Sequence, residues 1–213
     1  MKHITFYLDF ISPYAYLAFE QLPQALKGIS HSVHYTPVLF AGMLKHHGQL
    51  GPAEIAPKRD WTYRQVIWLA DKMGVPMHMP ASHPFNPLQL LRLALACGKD
   101  AGDTNRYICE VIFKHAWTSG ADMNDSVHFE TLLAQLKPRH DLQGNDVKNC
   151  LKANTEAAIS KGVFGVPAFE VDDKIFWGLD ALPMLRDYAL GEQWFKAGNW
   201  ERACQVAPGV VRN

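Results

Sequence analysis

From residue 42 to residue 162 the chain shows no convincing strand, while strand patterns stand on both sides of that block. A long helical block between two strand-bearing ends admits few layered architectures. Before it, Ile4, Phe6 and Leu8 alternate with Thr5, Tyr7 and Asp9, and a second alternating run covers residues 33–40. Large side chains in both registers of the first run predict a strand covered on both faces. Pro37 puts the end of the second run at an edge or outside the sheet. After the block, residues 165–171 and 174–177 flank Asp172 and Asp173 as a hairpin. A last helix is predicted over residues 180–190, with Asp180 as its cap. Inside the block, helices are predicted over 57–73, 87–97, 103–117, 125–136 and about 145–161, after a short helical turn at 42–47. The first of these sets Trp61, Gln65, Trp68, Leu69, Lys72 and Met73 on one broad face.

A strand, helix and strand in succession make a right-handed parallel unit, whereas a hairpin is antiparallel, so the sheet must be mixed. The expected fold is α/β, a thioredoxin-like mixed sheet with a large all-helical insertion. Residues 1–42 and 162–213 would form the thioredoxin-like domain and 43–161 the inserted helical domain.

The first strand ends at a turn, Ser12-Pro13, that begins a helix. Serine is a favoured cap and proline a favoured first helical residue. Ser12 therefore stands where unpaired N–H groups and the positive end of the helix dipole meet, a place suited to a thiolate or carboxylate. By itself it is equally a plain capping serine. Thioredoxin-like oxidoreductases carry Cys-x-x-Cys at this turn. Here the frame reads Ser12, Pro13, Tyr14, Ala15, which excludes dithiol chemistry and leaves a hydroxyl donor.

Two further places could carry chemistry. The residue before Pro167, Val166, would offer free backbone groups to an extended, peptide-like ligand, unless Pro167 only begins a strand. Trp177, Gly178, Leu179 and Asp180 join a strand end to a helix start. Backbone N–H groups there suit a carboxylate and the Asp180 side chain an ammonium, unless the turn is merely a cap. Asn86 before Pro87 reads as a cap, and Lys58 as surface charge placed to meet a substrate carboxylate. The histidines, His83 among them, form no zinc spacing, and no metal is expected.

The 21 basic and 21 acidic residues cancel, which removes the electrostatic case for nucleic acid or an anionic membrane. The chain opens directly into a strand with no signal peptide, and no apolar run spans a bilayer. The four cysteines are scattered and read as reduced thiols of a cytoplasmic protein.

FYLDFISPYAYLA, HGQLGPAEIAPKR, HPFNPLQLLRLA and GVFGVPAFEVDDKIFWGLDALPML, in that order, resemble the 2-hydroxychromene-2-carboxylate isomerase family over about residues 3–190. That family is similar to kappa-class glutathione transferases and shares their DsbA-like architecture. The resemblance implies glutathione as a regenerated cofactor. Val166, ahead of Pro167, would pair with its cysteine backbone. Trp177, Gly178, Leu179 and Asp180 would meet its γ-glutamyl end, and Ser12 would donate to its sulfur. Lys58 and Asn86 would hold a small aromatic substrate in a homodimer. The implied reaction converts 2-hydroxychromene-2-carboxylate, or a close aromatic catabolic intermediate, to trans-o-hydroxybenzylidenepyruvate. Two positions depart from the family: Gln49-Leu50-Gly51 stands where a Gly-Asn followed by prolines is common, and Leu179 where a small polar residue is common. A kappa-like transferase conjugating electrophiles is the second reading, and a non-catalytic thioredoxin-like binding protein the third.

Overall fold

The computed structural model describes residues 1–207 and 209; residues 208 and 210–213, the end of the expected outer domain, lie outside the described residues. Strand β1 is Lys2–Leu8, helix α1 Pro13–Ala25, β2 His31–Pro37 and α2 Phe40–His46. Five helices follow: α3 Ala56–Met73, α4 Leu88–Ala96, α5 Arg106–Thr118, α6 Ser126–Leu136 and α7 Asn145–Ser160. The chain returns through β3 Ala168–Val171, β4 Lys174–Trp177 and α8 Leu182–Leu190, then two short helices, α9 Gln193–Lys196 and α10 Asn199–Ala203. The sheet runs β2-β1-β3-β4. β1 is parallel to β2 and antiparallel to β3, and β3 and β4 form the hairpin, so the mixed DsbA-like thioredoxin fold stands.

The Ile4, Phe6 and Leu8 face of β1 is buried throughout, whereas the other face is covered only toward Tyr7, with Thr5 half-buried and His3 exposed, so the expected double covering holds only at the strand's end. Ile4, Phe6 and Leu8 join the main core, where Phe6 stacks on Phe169 with ring centres 4.6 Å apart. Tyr7 enters a second cluster with Val38, Met43, Ala158 and Val163. The main core runs without a break from the sheet into the inserted helices. Phe113 of α5 packs against Phe10, Tyr16 and Phe19 at 4.8, 6.0 and 5.2 Å.

Four expectations are corrected. β2 starts and ends earlier than residues 33–40, because β1 supplies pairing partners only from His31 to Pro37. β3 starts at Ala168 rather than 165, because its last partner on β1 is Tyr7. Asp180 caps nothing: it is exposed within a 3₁₀ turn, and α8 starts at Leu182. On α3 the buried stripe is Thr62, Val66 and Ala70, whereas Trp61 and Trp68 are 62% and 57% exposed. The period there was legible but the phase was not, since tertiary contacts choose which face is covered. Among the described residues no helix is long and apolar enough to cross a membrane.

Candidate active site

Ser12 sits between β1 and α1 with extended backbone (φ −90°, ψ 115°), which is the geometry of a cap. Its Oγ accepts from the Ala15 N–H at 3.2 Å and its carbonyl from the Tyr16 N–H at 3.1 Å. A hydroxyl has two lone pairs and one proton, so capping leaves the proton free to be donated. No described residue accepts it. Pro13 has no N–H, so the Tyr14 N–H is the first-turn donor left without a protein partner. A cap and an anion site therefore coexist at one residue.

Ser12 opens onto a cleft of about 1260 Å³. Val166, Pro167, Trp177, Gly178, Leu179, Asp180 and Lys58 all line it. The Val166–Pro167 bond is cis. Val166 lies two residues before Ala168, where the pairing with β1 ends, and its N–H and C=O have no partner among the described residues. The Pro167 carbonyl is instead taken by the Gly178 N–H at 2.9 Å. Gly178 has φ 104°, a conformation that strains other residues, and a Cβ there would lie 2.3 Å from Asp180 Oδ1. At Gly165 a Cβ would lie 2.8 Å from Trp177 Nε1, so the indole closes over the backbone only because that side chain is missing. Leu179 is buried in the core, and Trp177 leans on Phe164 with ring centres 4.9 Å apart.

Lys58 stands exposed at the rim of the cleft with no ion-pair partner among the described residues. Arg186 also reaches the cleft, but its guanidinium is committed to the carbonyls of Ala25 and Lys27 at 2.7 and 2.9 Å. Asn86 is not brought to the cleft. It is exposed, and its Oδ1 accepts the Leu88 N–H at 3.1 Å, the local turn that starts α4. Four side-chain amides line the cleft: Gln21, Gln24, Gln49, in the segment where the chain departs from the family pattern, and Gln65, which accepts the Tyr14 hydroxyl at 2.6 Å. Apolar walls come from Trp61, Leu44, Leu50 and Leu69.

Three cleft or turn residues escaped sequence reading: Asp9, His83 and Trp117. Asp9 is fully buried. Its Oδ1 accepts the Ile11 N–H at 3.1 Å and its Oδ2 the Phe40 N–H at 2.9 Å, which ties the turn before Ser12 to the start of α2. The signal for it was an acid directly after the apolar end of a strand, Phe6-Tyr7-Leu8, and before Phe10. Burial pushes the Asp9 carboxyl from 3.8 up to about 7, against the pull of the Phe40, Ile11 and Phe10 N–H groups.

A testable consequence follows from that burial. With its pKa raised, the folded protein holds the Asp9 proton more tightly than the unfolded chain does. The resulting stability is fully present below the unfolded value of 3.8 and is lost as pH rises through about 7. The full swing is on the order of 4 kcal/mol at most. Asp9→Asn should abolish that slope, at the cost of leaving one of the two N–H groups without an acceptor. Urea unfolding of both proteins across this pH range checks it; parallel curves would mean that Asp9 does not titrate there.

None of the four cysteines lines the cleft, and all are unpaired. Burial pushes Cys97 up to about 11 and Cys109 up to about 12, far from a thiolate at neutral pH. Among the described residues no group of three or more His, Cys, Asp or Glu could hold a metal ion. The arrangement can thus hold an anion at Ser12, an extended peptide at Val166 and an apolar molecule with one acidic group near Lys58. It supplies no sulfur of its own.

Comparison with known proteins places the family and the fold. The model of the DSBA-like thioredoxin domain matches residues 3–189. A 2-hydroxychromene-2-carboxylate isomerase of Sphingobium xenophagum is 30% identical over 89% of this chain and 98% of that one. A glutathione S-transferase kappa 2 of Caenorhabditis elegans is 23% identical over 88% and 91%. The solved structure of a 2-hydroxychromene-2-carboxylate isomerase superposes with a TM-score of 0.76 at 23% identity, over 96% of this chain and all of that one.

Proposed function

This chain belongs to the DSBA-like thioredoxin domain family, and from that premise we propose that it is a glutathione-dependent cis–trans isomerase. Its substrate is 2-hydroxychromene-2-carboxylate or a close aromatic catabolic intermediate, and the product is trans-o-hydroxybenzylidenepyruvate. The observation that carries the reading is the pairing, in one cleft, of an unpartnered Val166 peptide with a Ser12 hydroxyl free to donate. Names of the relatives, isomerases and glutathione transferases, support it from outside.

In this reading glutathione lies extended along Val166, and its γ-glutamyl end meets the backbone of Trp177 to Leu179 and the Asp180 carboxylate. The Ser12 hydroxyl and the Tyr14 N–H hold its sulfur as a thiolate. A serine hydroxyl does not ionise near neutrality, so Ser12 is a donor rather than a nucleophile. The ring-opened substrate brings a carbon–carbon double bond conjugated to a ketone. Bound glutathione would supply a thiolate able to add reversibly to that bond, which would free it to rotate before elimination restores it as trans, with glutathione regenerated and no redox equivalent consumed. Lys58 holds the substrate carboxylate, and Gln49, an amide that lines the cleft, takes the place of Asn86. The division into residues 1–42 with 162–213 and 43–161, a homodimer and a cytoplasmic setting belong to the same reading.

Glutathione should raise the melting temperature. A ligand that binds only the folded state adds about 2.7 kcal/mol at a hundred times its Kd. No shift at millimolar glutathione would remove the cofactor. Conjugation is favoured over isomerisation if free glutathione falls in step with product; an undiminished pool during turnover supports the isomerase. A binding protein would bind glutathione without turnover and without moving its thiol pKa.

A further inference from the structure

Every peptide unit leading into Ser12 is held by a side chain or by the turn itself. The Phe10 carbonyl accepts Trp117 Nε1–H at 2.9 Å, the Ile11 N–H goes to Asp9, and the Ser12 N–H goes to the Asp9 carbonyl at 3.1 Å. The one remaining group, the Ile11 carbonyl, lies 2.9 Å from His83 Nε2. That carbonyl shares its peptide plane with the Ser12 nitrogen. A carbonyl can only accept, so His83 must carry its proton on Nε2.

His83 is in turn held from behind. Tyr63 Oη on α3 is 2.8 Å from His83 Nδ1 and 2.8 Å from the His83 carbonyl. The ring packs against Trp117 at 5.5 Å, Tyr63 at 5.4 Å and Phe85 at 5.9 Å. Burial lowers the imidazole's pKa despite the Ile11 carbonyl, which keeps the ring neutral and its Nδ1 able to accept from Tyr63. The same ring lines the cleft.

We propose that His83 is a positioning residue for the reaction at Ser12: its Nε2–H locks the Ile11–Ser12 peptide plane and thereby aims the Ser12 hydroxyl. The proposal rests on the function proposed above, but its geometry does not. If the plane is free to rotate, the Ser12 backbone torsion follows and Oγ swings away from the sulfur. A misplacement of about 1 Å costs on the order of 10²-fold in rate. The helical insertion therefore does more than wall the cleft, because Tyr63, His83 and Trp117 all come from it.

The test compares His83→Leu, which fills the space without a donor, with His83→Gln, whose amide nitrogen reaches the Nε2 position. Leucine should lower kcat by about 10²-fold, with little change in KM for substrate, and reduce the ultraviolet absorbance of the bound glutathione thiolate. Glutamine should recover most of both. Hydrogen exchange of residues 9–16, measured without glutathione, should be faster in the leucine variant only. Wild-type kcat and exchange in His83→Leu would overturn the proposal, as would equal impairment of both variants, which would mean packing alone. Should His83→Leu not fold, Tyr63→Phe decides: a fall in kcat with faster exchange supports the brace, and no change in either overturns it. A wild-type protein that never binds glutathione would sink the isomerase reading, while the exchange comparison still decides whether His83 holds the turn.

Discussion

Ser12→Ala is expected to cut turnover by about 10²–10⁴-fold, the range for a positioned group that handles a proton or its charge. The same change removes the α1 cap, because Ala15 loses its 3.2 Å acceptor. That costs about 1 kcal/mol of stability, which a domain of ordinary stability survives. The two effects separate by measurement: steady-state kinetics well below the melting midpoint, and urea unfolding for the cap. Ser12→Thr keeps both hydroxyl and cap and should retain much of the rate. An alanine variant that turns over at the wild-type rate would show that the serine is only a cap and that the sulfur is stabilised elsewhere, by the Tyr14 N–H and the helix dipole.

Trp117→Ala is expected to be severely damaging to the fold, at about 4–8 kcal/mol. Its side chain is completely buried, beside Phe85 and His83. Truncating a buried tryptophan loses about 3–5 kcal/mol from transfer and cavity formation. Leaving the Phe10 carbonyl without its 2.9 Å donor adds a desolvation penalty of about 1–3 kcal/mol. Trp117→Phe isolates that last part, because it keeps most of the packing and drops the N–H. A shift in the urea midpoint at constant slope is the measurement. A loss under about 2 kcal/mol for the alanine variant would mean that the site collapses around the gap and that α5 does not hold the turn.

These two residues differ in how far the sequence revealed them. Ser12 was legible because capping, the Pro13 step and the missing cysteines are all local facts. Val166 was legible as the residue before a proline that leads into a strand, Trp177 and Gly178 as a strand end beside a helix start, and the cleft gathers them all. Asn86 looked like both a cap and a ligand; its Oδ1 accepts the Leu88 N–H two residues on, and the residue does not line the cleft. Trp61 and Trp68 misled because a helical pattern has a period but no labelled face, and at α3 large aromatics stand at the rim of the cleft and on the surface.

The sequence alone determined the order of the elements, the covered Ile4, Phe6 and Leu8 face of β1, the capped start of α1 and the absence of dithiol chemistry, since each depends on side chains within a few positions of one another. Tertiary structure alone decided what surrounds Ser12. His83 reaches Ile11 across 72 positions and Trp117 reaches Phe10 across 107, and Asp9 is buried by α2 rather than by its own strand. A hydrogen bond to a backbone carbonyl leaves no spacing to read, because every residue carries the same acceptor. Only the packing of the inserted helices against the turn selects which one is met.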